Sequence, residues 1–206
     1  MNKSVARRGR RTGAPDTRSQ VLEVARRRFL AEGYRAVTLR SVAVEAGVDV
    51  ALISYFFGSK SGLFGAAMAL TANPAEMFVL ALDGALSGLP ERVLRVLLHT
   101  WDTPASGQPL QAMLRNALYD DAVGLLVRQA LERELIDKLA ERLGGVDARR
   151  RASAFTVQLA GVVFARYVLR LEPMASMPAD ELIRTLAPSL RAALIPVRLR
   201  AEASPK

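Results

Sequence analysis

The chain has 206 residues, half of them hydrophobic, with no cysteine, one histidine and a formal net charge of +9. That length holds one domain of average size plus a small one, or a single larger helical body. The lack of cysteine excludes thiol nucleophiles and disulfide staples, and one histidine by itself builds neither a metal site nor a catalytic triad.

Residues 1–15, MNKSVARRGRRTGAP, carry too little apolar surface to hold a structure and are expected to form a flexible basic arm. No apolar stretch of signal-peptide type follows it, which fits a cytoplasmic setting. Thr17 and Gln20 have capping-box spacing. Leu22, Ala25 and Phe29 then recur on a helical face until Gly33 offers a left-handed stop, so the first helix is predicted over 17–32.

The next stretch, AVTLRSVAVEAGVDVALISYFF from Ala36 to Phe57, is rich in strand-forming residue types. A half-buried strand needs alternate apolar positions, and Arg40, Ser41, Glu45 and Asp49 do not share one parity. Leu39, Val42, Ala43 and Ala46 instead fall at i, i+3, i+4 and i+7, one face of a helix. Thr38 is a suitable N-cap and Gly47 sits where the chain must leave the helix with positive φ. Asp49 then caps a second helix, whose Leu52, Ile53 and Phe56 share a buried side. The spacing Ala43, Gly47, Ile53 is that of a helix-turn-helix, whose second helix lies in the DNA major groove.

Beyond Lys60 the pattern predicts helices near 60–72, 74–87, 90–101, 108–117, 120–143, 147–171 and 179–195, with TPASGQP at 103–109 as a loop. The longest apolar run, Phe155 to Val163, is interrupted by Thr156 and Gln158 and is too short to span a bilayer. No strand survives this reading. The expected fold is all-α: a basic arm at 1–15, a helix-turn-helix DNA-binding domain at 16–64, a helical domain at 65–197, and a fraying tail at 198–206.

Charge supports the division. Residues 1–65 hold twelve basic and five acidic side chains, which leaves only +2 for the rest. Such a head suits a polyanion, although a solubilising surface explains charge alone equally well. From Thr17 to Phe64 the chain resembles the DNA-binding domain of TetR-type transcriptional repressors, through FLAEGY, Thr38, VAVEAGV, YFF and GSKSGLF. The resemblance implies a homodimer that binds a palindromic double-stranded DNA operator and is released by a small-molecule effector, with no cofactor and no membrane partner.

By that resemblance Thr38 and Lys60 contact DNA phosphates. Asp49, Val50, Ala51, Ser54 and Tyr55 are groove candidates, and Arg40 reaches a base or a phosphate. The sequence departs from the family at 49, 50 and 54, where serine, proline and tyrosine are common. Asp49 is read first as a cap and second as an acceptor for cytosine N4. Arg10 and Arg11 of the arm enter the minor groove or act as non-specific electrostatics, and Arg26, Arg27 and Arg28 are read mostly as a solvated face. In the body, Met77, Phe78, Trp101, Met113 and Tyr119 are candidate effector contacts, and His99 is read as a packing residue. The penultimate helix is apolar nearly all round and so needs burial on two sides. Phe155, Leu159, Val162 and Phe164, with Leu182, Leu186 and Leu190 of the last helix, are the expected dimer interface. The rival readings are an effector-independent architectural DNA-binding protein and a helical enzyme, for which no catalytic constellation is visible.

Overall fold

A computed structural model describes residues 17–71 and 73–196. Among the described residues every regular element is helical. The arm with Arg10 and Arg11, and the tail at 198–206, lie outside them.

Four helices form the head: α1 (Thr17–Ala36), α2 (Leu39–Ala46), α3 (Val50–Phe57) and α4 (Lys60–Ala67). Gly33, at φ 80° and ψ 168°, interrupts α1 and sends one further turn off its axis, so the predicted stop is a kink. Gln20 does not cap its own helix and donates 3.2 Å to the Ala46 carbonyl at the end of α2. Thr38 accepts from the Ser41 N–H at 3.0 Å, and Ser41 Oγ accepts from the Thr38 N–H at 3.0 Å, closing a capping box. Gly47 turns the chain at φ 65°. Phe57, rather than Phe56, joins Ile53 on the buried side of α3.

The head core is aromatic. The Phe29 and Tyr34 rings stack at 5.8 Å, and Phe64 meets both edge-on at 5.3 and 5.2 Å. Arg28 is not merely solvated: it pairs with Glu32 at 2.7 Å and Glu45 at 3.3 Å and donates 2.9 Å to the Ser41 carbonyl, while Arg27 also pairs with Glu45. These contacts fasten α2 to α1.

The body comprises α5 (Pro74–Ala81), a 3₁₀ turn (Leu86–Gly88), α6 (Leu89–Asp102), α7 (Pro104–Tyr119), α8 (Asp121–Leu131), α9 (Lys138–Leu143), α10 (Ala148–Val163) and α11 (Ala179–Ala193). A π-helical turn over Glu132–Asp137 joins α8 to α9, and another over Phe164–Val168 ends α10. The predicted helix at 120–143 is thus continuous but unevenly wound, and those at 60–72 and 74–87 stop earlier than expected. Leu89, Leu94, Leu98, Phe155, Leu182 and Leu190 sit at the centre of the body core.

The predicted loop at 103–109 is helical instead. Pro104 occupies the first turn of α7, where no N–H is missed. Pro109 lies inside and strips the Ala105 carbonyl of its helical donor; the Thr71 hydroxyl bonds that carbonyl from the far side of the chain. The reversal between α6 and α7 is tight, and a Cβ on Gly107 would stand 2.2 Å from the Trp101 carbonyl oxygen. Gly107→Ala is expected to lower stability by about 1–3 kcal/mol through that backbone collision, read as a lower midpoint in urea unfolding with an unchanged slope.

Candidate nucleic-acid interface and the cavity behind it

The geometry of the head separates inward from outward side chains on α3. Ile53 is fully buried, whereas Val50, Ala51, Ser54 and Tyr55 are exposed, Tyr55 at 83%. Val50 and Ser54, like Ala51 and Tyr55, are four apart, so the exposed set forms one face of about two turns. Asp49 Oδ1 accepts from the Ala51 N–H at 2.7 Å, which makes it the cap of α3. The Thr38 oxygen accepts from the Ser41 N–H at the start of α2. Arg40, in the same first turn, is exposed.

Lys60 stands differently. Its Nζ lies 4.6 Å from the Tyr34 ring centroid and donates 3.3 Å to the Arg35 carbonyl. Burial pushes its pKa below the usual lysine value, opposed by the charge of Glu134. The ammonium is therefore held where head meets body.

That junction was not legible in the sequence. The Tyr34 hydroxyl donates 2.5 Å to the buried Glu134 carboxylate, which also takes 2.5 Å from Lys138 Nζ. Burial, with the neighbouring carboxylate second, raises the Tyr34 pKa far above the ordinary phenol value, so Tyr34 remains a donor. Arg35 pairs with Glu132 at 2.8 Å, and Gln129 Oε1 accepts from the Arg35 N–H at 3.0 Å. Leu126 of α8 is buried within the head's own core; removing such a side chain from water contributes roughly 1.5–3 kcal/mol.

The other face of the same run lines a cavity of about 230 Å³, through Val127, Leu131 and Leu135. α6 supplies Thr100 and Trp101, α7 Leu110 and Met113, and α10 Thr156 and Leu159. Of the expected effector contacts, Phe78, Trp101 and Met113 line it. Met77 does not, and Tyr119 lies 91% exposed at the end of α7. His99 is exposed on α6 rather than packed. Trp101 stacks on Tyr167 at 5.2 Å, and the Tyr167 hydroxyl donates 2.9 Å to Asp102.

The expected dimer residues divide by direction. Phe155, Leu159, Val162, Leu182 and Leu190 are buried in the protomer's own core. Leu186 is partly buried, and Phe164 is 37% exposed beside the fully outward Val157 at 68%. A helix apolar on every side has no polar face to reveal which stripe turns inward.

Comparison with known proteins matches two family models along the chain. Residues 21–67 match the family model for bacterial regulatory proteins of the tetR family, and residues 87–194, more than half the chain, match that for the tetracyclin repressor-like C-terminal domain. A TetR-family regulator from Streptomyces coelicolor A3 is 35% identical, over 90% of this chain and 98% of its own, with a TM-score of 0.46. A second S. coelicolor TetR-family transcriptional regulator is 20% identical over 86% and 94%, TM-score 0.41. SmeT in complex with triclosan is 18% identical over 92% and 99%, TM-score 0.43. No curated protein matches.

Tyr34→Phe removes one donor from a buried carboxylate and is expected to cost about 1–3 kcal/mol. Hydrogen exchange checks it: protection should fall in α1 and α8 together, whereas loss confined to α1 would show that the bond does not join the two halves.

Proposed function

We propose that this chain, a DNA-binding transcriptional regulator that belongs to the TetR family, is a homodimeric repressor that grips a palindromic operator and lets go when a small molecule enters the cavity of its body. The observation that carries this reading is the double role of the run from α8 into its π turn. Val127, Leu131 and Leu135 face the cavity, while Leu126, Gln129, Glu132 and Glu134 hold the head. A ligand that prefers a displaced Leu135 therefore also prefers a displaced head, which is the energetic requirement for release. A preference of about 3 kcal/mol weakens operator binding on the order of a hundredfold.

On DNA, Val50, Ala51, Ser54 and Tyr55 enter the major groove, with Val50 and Ala51 suited to thymine methyls and Ser54 and Tyr55 to a base edge or phosphate. Thr38 and Arg40 hold the backbone at the start of α2, and Asp49 caps rather than reads. Lys60 joins them by leaving the Tyr34 ring for a phosphate, which links backbone contact to the state of the junction. Arg10 and Arg11 of the arm add minor-groove or backbone contacts. Two protomers pair through the outer stripe of α10, Val157, Gly161 and Phe164, with Leu186 at its edge, and so set two recognition helices about one DNA turn apart. The cavity supports this reading over an architectural role, which needs none. Among the described residues no helix is long and apolar enough to cross a membrane.

Fluorescence anisotropy against the DNA upstream of the chain's own gene, beside a scrambled duplex at two salt concentrations, tests the reading. Preference for the upstream DNA is expected to persist at the higher salt, and equal binding that collapses for both duplexes would overturn it. In the same assay Tyr55→Ala should weaken upstream binding by about 1–3 kcal/mol and leave the scrambled duplex nearly unaffected, while Arg40→Ala should weaken both.

A further inference from the structure

We propose that the cavity takes a small, uncharged, largely hydrocarbon molecule that offers a single hydrogen-bond donor to Thr156; the inference rests on reading this cavity as the effector site. Among the described residues no charged side chain lines it. An ion entering would shed its water with no counter-charge to meet it, a cost of several kcal/mol that excludes carboxylates, sulfonates and quaternary amines alike. Its volume, about 230 Å³, is below the roughly 300–1,000 Å³ of drug-sized pockets, so the occupant is compact.

Polarity in the wall comes chiefly from two buried threonines, Thr100 on α6 and Thr156 on α10. Thr156 Oγ1 donates its hydrogen to the Ala152 carbonyl at 2.9 Å. The proton is spent within the helix, and what the oxygen retains is acceptor capacity. A ligand that brings an O–H or N–H satisfies it. One that brings only acceptors gains nothing at Thr156. The rest of the wall, Leu97, Leu110, Leu131 and Leu135 among it, rewards hydrocarbon and penalises every further polar group.

Two dyes with the same aromatic skeleton separate these terms. N-phenyl-1-naphthylamine is neutral and carries one N–H, and 8-anilino-1-naphthalenesulfonate adds a fixed negative charge. Titrated with the full chain, the neutral dye is expected to saturate with a dissociation constant at least about tenfold lower than the sulfonate, by the desolvation argument. Thr156→Val should weaken the neutral dye by about three- to tenfold, the worth of one hydrogen bond. Leu97→Trp fills the cavity and should abolish uptake of the neutral dye while circular dichroism keeps its helical signal. Equal affinity for both dyes, uptake indifferent to Leu97→Trp, or no effect of Thr156→Val would each overturn the proposal. If Leu97→Trp does not fold, the dye ratio and Thr156→Val decide alone. Failure of the effector reading itself has another appearance: neutral dye saturating the cavity with the anisotropy on upstream DNA unchanged, which supports the ligand class and refutes its regulatory use.

Discussion

The Tyr34 hydroxyl and the Glu134 carboxylate meet in a place closed to water, and the head's attachment to the body depends on that meeting. A buried carboxylate is costly unless donors surround it, and here a phenol and the Lys138 ammonium do so. The head needs the attachment for a simple reason of scale. A helical unit of about 50 residues buries too little surface to be more than marginally stable, and Leu126, contributed by α8, completes its core. Head and body are therefore neighbours by necessity, and what strains the body's side of the junction acts on the head's core directly.

The recognition helix lies away from that seam. α3 is held by Ile53 and Phe57 from within and by capped turns at Asp49 and Gly58. Its exposed face makes no contribution to either hydrophobic core. Side chains free of packing duty can vary without disturbing the fold, which accounts for a departure from the family at Asp49, Val50 and Ser54 that leaves the helix intact. The cap chemistry even tolerates the change at 49, because aspartate accepts the same N–H that serine would.

Legibility followed distance along the chain. Thr38, Gly47 and Asp49 act within a few residues of themselves, so α2, its turn and α3 were readable from spacing. Pro109 looked like a breaker because the carbonyl it strips, that of Ala105, is repaired by Thr71, 34 residues before Ala105. Tyr34 and Glu134 are 100 residues apart, and nothing near either suggested the other. The cavity was half read: Phe78, Trp101 and Met113 lie on it, but Val127, Leu131 and Leu135 repeat every fourth residue as any core stripe does, and Thr156 is a polar residue in an apolar helix with no local sign of its neighbours. On α10, Phe155 and Val157 are equally apolar, and burial alone distinguishes them.

Why strain in the cavity should reach the head rather than dissipate follows from how the walls are tied. α6 is anchored at its start, where Arg92 donates 3.0 and 3.1 Å to the Ala81 and Ala85 carbonyls and Glu91 pairs with Arg191. α10 is anchored at both ends: Arg151 binds the Leu194 and Gly144 carbonyls at 2.8 and 2.7 Å, and Arg166 the Met174 and Met177 carbonyls at 2.8 and 2.9 Å. The run from α8 to α9 is fixed at its far end, where Asp137 pairs with Arg149 and Arg142 reaches the Gly84 carbonyl at 3.1 Å. Its near end bears on α7 and on the head. Between the two lies the π turn at 132–137, where the helix winds wider. Leu135 of the cavity wall lies in that turn beside Glu134, and Glu132 opens it with Leu126 and Gln129 just before, so the residues that line the cavity and those that hold the head share one run.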